Sequence, residues 1–194
     1  MFIDYLTLVM INLVAGSTLL AYYLWRGIDE KEQRPYAAAF FMTGLVSLVT
    51  GLQLSFTWPL PGSFNVGYGD ATTLFGVVFI ATGIALSQGW DLKPVALYSF
   101  FAGIDAIIVG IRILSLGLGQ EPLVAAAGFV LAGLGGLGSF PFLEWFRDNK
   151  VVRWIGILVL LAAALIWAVT FYNALWAHMA SFSKWVPATM ATGK

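Results

Sequence analysis

Asp105 is an ionisable side chain near the middle of an apolar run, Val95–Ile113. An acid at that depth in a bilayer costs several kcal/mol unless it is paired, hydrated or protonated. It therefore marks either a polar station on a solute path or a tie to another helix or subunit. In the preceding run, Phe75 and Phe79 are spaced i, i+4 and share one face of a helix. Such a pair serves as the apolar wall of a narrow path, or as ordinary packing against helices and lipid. Tyr68 and Asp70, just before that run, are candidates for an outer mouth. Arg112 follows Asp105 by seven residues, on the same face but roughly 10 Å along the axis. It is expected to reach the outer interface, towards Asp70 or Glu121 as charge partners.

Other chemistry is sparse. His178 is the only histidine, so it cannot by itself complete a metal site or supply both axial ligands of a haem. It reads as a solvated residue at the membrane edge, with pH sensing as the functional alternative. The chain has no cysteine, which removes disulfides, thiolate metal sites and a cysteine nucleophile. No Walker A, HExxH or Ser-His-Asp arrangement occurs, so neither an enzyme nor an energised pump is expected, and no metal or cofactor. Val66-Gly67-Tyr68-Gly69-Asp70 spells the core of a potassium filter. Pro59 and Pro61 fall where the pore helix of such a filter would run, so the stretch reads instead as an external Gly-rich loop.

The elements that must hold these residues are membrane spans. The 194 residues are 60% hydrophobic and 10% charged, far from the quarter charged that is usual in soluble domains. Net charge is zero, and no basic cluster is interleaved with aromatics, so nucleic acid is not an expected partner. Six apolar segments are predicted, at about 5–25, 36–57, 71–88, 94–116, 122–143 and 151–176. Links are short, so the fold class is a single all-α bundle of six transmembrane helices over 1–194. Gly89 is placed to end the third span and Pro94 to start the fourth. The N-terminus, Met-Phe-Ile-Asp, lacks a basic n-region and reads as retained.

Orientation follows Lys and Arg. Odd-numbered links carry Arg26, Lys31, Arg34, Lys93, Arg147, Lys150 and Arg153, whereas the other side has Arg112, Lys184 and Lys194. Odd links are thus expected in the cytoplasm and both termini outside. Pro35-Tyr-Ala-Ala-Ala-Phe and Pro122-Leu-Val-Ala-Ala-Ala-Gly-Phe open spans 2 and 5, which reads as shared composition or as a three-span inverted repeat. Span 5, with Gly128, Gly133, Gly135, Gly136 and Gly138, is smooth enough for close helix approach.

Over residues 68–106 the chain resembles the AmiS/UreI family of urea channels and short-chain amide permeases. The resemblance rests on Tyr68-Gly69, Ala71-Thr72, Leu74-Phe75-Gly76, Gly89, Asp91, Pro94, Tyr98-Ser99, Phe101 and Ile104. It implies six spans with both ends outside a prokaryotic plasma membrane and a pore within each subunit of a hexameric homo-oligomer. It also implies passive passage of urea, a short amide, ammonia or a similar neutral solute. Phe75 and Phe79 fall at that family's constriction positions, the second being a tyrosine there. Asp105 stands where an asparagine is expected, and the tryptophans of the fifth span and an acid of the sixth are absent. The competing expectation is a non-conducting accessory or scaffold subunit of a larger membrane complex.

Overall fold

The computed structural model describes residues 5–183 together with 185 and 186. Lys184, Lys194 and the extreme chain ends, all used in the orientation argument, lie outside the described residues. The described residues form six helices, each long and apolar enough to cross a bilayer, and no strand. They are α1 (Tyr5–Tyr22, continued by a π-helical turn, Tyr23–Gly27), α2 (Arg34–Thr57), α3 (Phe64–Gln88), α4 (Lys93–Leu116), α5 (Pro122–Pro141, continued by a π-helical turn, Phe142–Phe146) and α6 (Lys150–Phe182). Gly89 ends α3 in the left-handed conformation, φ +69°, and Pro94 sits in the first turn of α4.

The third span starts earlier than the hydropathy pattern indicates, at Phe64 rather than 71. The fully buried side chain of Asn65 accepts from the Leu60 amide at 2.8 Å and donates to the Leu60 and Gly62 carbonyls, tying down the turn before the helix. Val66–Asp70 is therefore helix and not loop. Its carbonyls are engaged in helical hydrogen bonds, which also removes the filter reading.

Three helix pairs carry the packing: α2 on α3, α4 on α5, and α1 on α6. Between α2 and α3, a Cβ on Gly44 would stand 2.8 Å from the Gly76 carbonyl oxygen. Between α4 and α5, one on Gly136 would stand 2.9 Å from that of Ser99. Backbones this close gain dispersion that lipid cannot match, and larger side chains would hold them apart. Because α2 prefers α3 whereas α5 prefers α4, the packing does not follow a three-span offset.

The links after α1, α3 and α5 gather at one end, here called the basic end. Lys93 at the start of α4 pairs with Glu144 at 3.0 Å. Pro141 lacks the amide that would continue the α5 ladder, and the helix widens into its π turn directly afterwards. At the matching place after α1, the rings of Tyr23 and Tyr36 occupy the position of any Cβ on Gly27, within 2.6–2.7 Å. Two apolar clusters result. One, at the far end, centres on Tyr68, Phe129 and Trp167, and the other, at the basic end, on Tyr23, Phe40, Leu86 and Phe142.

Candidate functional site

Between the two clusters the bundle is hollow. A cavity of about 380 Å³ is walled by all six helices. Its polar edge starts from Asn12 in α1, whose amide nitrogen donates to the Ser47 hydroxyl at 2.8 Å and to the Thr43 carbonyl at 2.9 Å. The amide oxygen has no partner among the described residues, so the chamber offers an acceptor at mid-membrane. The hydroxyls of Thr43, Thr82 and Ser139 turn back onto carbonyls of their own helices, leaving the remaining wall chiefly apolar.

Phe75 and Phe79, which the family resemblance sets at a constriction, both line this chamber. Phe79 stacks on the fully buried Phe40, with ring centroids 5.6 Å apart and planes 24° from parallel. Phe75 packs against the far-end cluster and Phe79 against the basic-end one, so the pair runs along the chamber.

The chamber is shut at both ends. At the far end, Tyr68, Phe129 and Trp167 pack edge to face, with centroids 5.0 Å (Tyr68–Phe129), 5.3 Å (Phe129–Trp167) and 6.2 Å (Tyr68–Trp167) apart. At the basic end, Tyr23, Ile28, Leu92 and Leu143 border both the chamber and a recess of about 320 Å³. That recess is rimmed by Lys31, Arg34, Lys93 and Arg147 with Glu32 and Asp91.

The basic-end closure is held by a polar latch. Both Asp29 oxygens receive the Arg153 guanidinium, which also donates to the Arg147 carbonyl at 3.1 Å. Arg147 in turn donates to the Ile28 carbonyl at 3.2 Å, and the Tyr23 hydroxyl donates to the Gln33 amide oxygen at 2.6 Å. The hydrogen bond from Arg153 holds the Asp29 carboxyl below its ordinary range. A carboxylate whose pKa is lowered on folding stabilises the fold above its unfolded value. That contribution is lost as pH falls through the depressed folded value. Melting temperature is therefore expected to decline more steeply below about pH 4 in the wild type than in Asp29→Asn. The effect is small, about half a kcal/mol, because Asp29 is solvent-screened.

Several predicted site residues lie elsewhere. Tyr68 does not line an open mouth: it is 5% exposed and belongs to the far-end closure, because its segment is helical and turns it inward. Asp70 is exposed and accepts from the Ser55 hydroxyl at 3.2 Å. Arg112 pairs with neither Asp70 nor Glu121 and donates instead to Ser115 on its own helix turn, at 3.5 Å. Glu121 is exposed at the residue before α5. Asp105 is absent from the chamber wall, so Asn12 and Ser47 take the place expected of it as polar station. One Asp105 oxygen, Oδ2, is buried with no partner among the described residues. His178 lies within α6, which runs past the predicted end of its span to Phe182, against whose ring it rests at 5.9 Å.

Asn12, Trp167 and Arg153 were not singled out from the sequence. Asn12 carries the same signal as Asp105, a polar side chain inside an apolar run. No group of three His, Asp or Glu side chains among the described residues is placed to hold a metal ion. A family model described as "Protein of unknown function (DUF981)" matches residues 1–181. No curated protein and no solved structure matches the chain.

Proposed function

The chain belongs to the DUF981 family, whose function is unknown, and from the chamber we propose that it is a passive permease for a small neutral solute, which pauses there. The chamber itself carries this reading: an internal space, closed at its two ends, with aromatic walls at Phe75 and Phe79 and one acceptor edge at Asn12 and Ser47. A solute with few polar groups exchanges water for dispersion along the rings and one hydrogen bond, as urea, a short amide or ammonia can. The resemblance of residues 68–106 to urea channels and amide permeases supports the same solute class. Both ends being shut makes this the occluded state, and transport then requires the Tyr68–Phe129–Trp167 closure and the Tyr23 throat to open.

Stopped-flow swelling of proteoliposomes in urea, acetamide and ammonium gradients tests it. The protein is expected to speed at least one of them over empty vesicles. Phe79→Ala should change that rate several-fold while lowering stability by about 1–2 kcal/mol, as expected for truncating a half-buried ring. Rates equal to those of empty vesicles for all solutes would favour a second reading, a non-conducting accessory subunit. The solid far-end packing around Trp167 supports that alternative.

The basic end is assigned to the cytoplasm from its Lys and Arg. A cysteine at Ser63 should react with an impermeant reagent in intact cells and one at Lys31 should not. The reverse pattern would invert the protein.

A further inference from the structure

Most glycines within the six helices stand where a neighbour leaves little or no room for a side chain. Two do not. A Cβ on Gly138 of α5 would meet nothing within 4 Å, and one on Gly156 of α6 would meet only a Leu24 methyl, at 3.7 Å. Both glycines line the chamber, together with Leu134 and Ile155, which are 41% and 57% exposed on the outside of the bundle. The chamber wall is thus open between α5 and α6. The gap closes towards the far end where Leu160 fills the space over Gly135, a Cβ there standing 2.7 Å from the leucine methyl. It closes towards the basic end where Phe142 and Val152 join one cluster. Val152 and Leu160 are eight residues apart, roughly 12 Å of helix.

Leu134 and Ile155 at this window are exposed and apolar, as are Trp154 and Leu158 on the outer face of α6, so the window faces hydrocarbon. A chiefly apolar cavity in contact with liquid hydrocarbon has little reason to stay empty. Its lining forfeits dispersion contacts, and water would find hydrogen bonds only at the Asn12 edge. At the basic-end rim Arg153 is taken up by Asp29, whereas Arg147 and Lys150, on the adjoining exposed link, form no ion pair among the described residues. Positive charge at that depth complements an anionic headgroup.

We infer that the chamber admits the acyl chain of an anionic lipid from the basic-end leaflet, through the Gly138–Gly156 window, with the headgroup held at Arg147 and Lys150. The inference uses the same chamber as the proposed permease but does not depend on conduction. A chain lying along Phe79 would compete with a small solute.

The test uses the full chain in phosphatidylcholine vesicles containing a minor fraction of phosphatidylglycerol with a photoreactive diazirine at its tail end. After irradiation, adducts are mapped by mass spectrometry. Adducts are expected on chamber residues such as Val78 and Phe79 as well as on the lipid-facing Leu158 and Leu165. Gly138→Leu, whose added side chain enters empty space, should keep the melting temperature. It should cut chamber adducts by roughly tenfold, the loss that about 1.4 kcal/mol of blocked access gives, and spare those on Leu165. Gly156→Leu, whose side chain must share its space with Leu24, should cut chamber adducts likewise. Adducts confined to the lipid face, or chamber adducts unchanged in both variants, would overturn the inference. Equal chamber labelling by the same probe on phosphatidylcholine would overturn the headgroup assignment. Chamber labelling without solute flux would leave this inference standing and remove the permease, and flux without chamber labelling would do the converse.

Discussion

Trp167→Ala is expected to cost about 3 kcal/mol of stability and to raise solute flux in the same protein. Trp167 is 1% exposed and packs edge-on against both Tyr68 and Phe129, and Gly128 is shaped to its ring, a Cβ there standing 2.9 Å from the indole. Truncating a buried Trp costs roughly 3–5 kcal/mol in water-soluble cores. The lower end applies here, because a helix separated from its neighbours in lipid loses packing without gaining exposure to water. The void would join the chamber to the far end and so remove one of its two closures. Trp167→Phe separates the two effects. It keeps an aromatic plug and deletes an indole N–H that is buried without a partner among the described residues, so stability should stay close to wild type. Thermal melts and liposome swelling on both variants check this. Unchanged flux in Trp167→Ala, with the expected loss of stability, would locate the barrier elsewhere.

Asp105→Asn is expected to raise stability by about 1–2 kcal/mol, the scale by which an uncompensated carboxylate charge costs more than a neutral amide at the same half-buried place. The residue lies at mid-span on α4, one of its oxygens is buried with no donor, and Asp70 is close enough to interact with it electrostatically. An ionisable group so placed has no compensation from the described residues. Asp105→Leu should stabilise as well, and neither variant should alter flux, since Asp105 does not line the chamber. A fall in melting temperature for Asp105→Leu would instead mean that a donor from a second copy meets it in the assembly.

Six spans and the hairpin punctuated by Gly89 and Pro94 were legible because they rest on local rules, run length and backbone preference. The 3.6-residue period set Phe75 and Phe79 on one face, and only the family resemblance said which way that face turns. The start of α3 was not, since Gly67 and Gly69 read as loop by composition. What makes the segment helical is a contact, Asn65 holding the Leu60–Gly62 turn. Gly69 is tolerated because Ser55 of α2 comes so close that a Cβ would stand 2.6 Å from its hydroxyl. Arg112 was assigned an ion partner because Asp70 and Glu121 were expected at the same interface, yet surface charges that water can solvate gain little from pairing. The latch between Asp29 and Arg153 joins residues 124 apart in sequence, a separation at which no local pattern speaks. Asn12 was within reach of the reasoning used for Asp105, but a neutral amide is cheaper to bury than an acid and stands out less from its apolar surroundings.

The two π-helical turns have a consequence for how the chain length may vary. A π turn closes its hydrogen bonds one residue later than an α turn, so it behaves as an α-helix carrying a one-residue insertion. Both insertions lie at the basic end, in Tyr23–Gly27 and Phe142–Phe146. Deleting one residue within Leu143–Phe146 would restore a regular helix and leave the membrane-crossing part of α5 in place. Because the π turn already takes up that extra residue, the segment after it would keep its direction about the helix axis. Arg147 would then stay within reach of the Ile28 carbonyl, and the throat would keep its cross-brace. The same deletion at the far ends of the helices, where no turn holds a spare residue, would shift a packed face instead. Length changes in this fold should therefore be tolerated at one end of the bundle and excluded from the other.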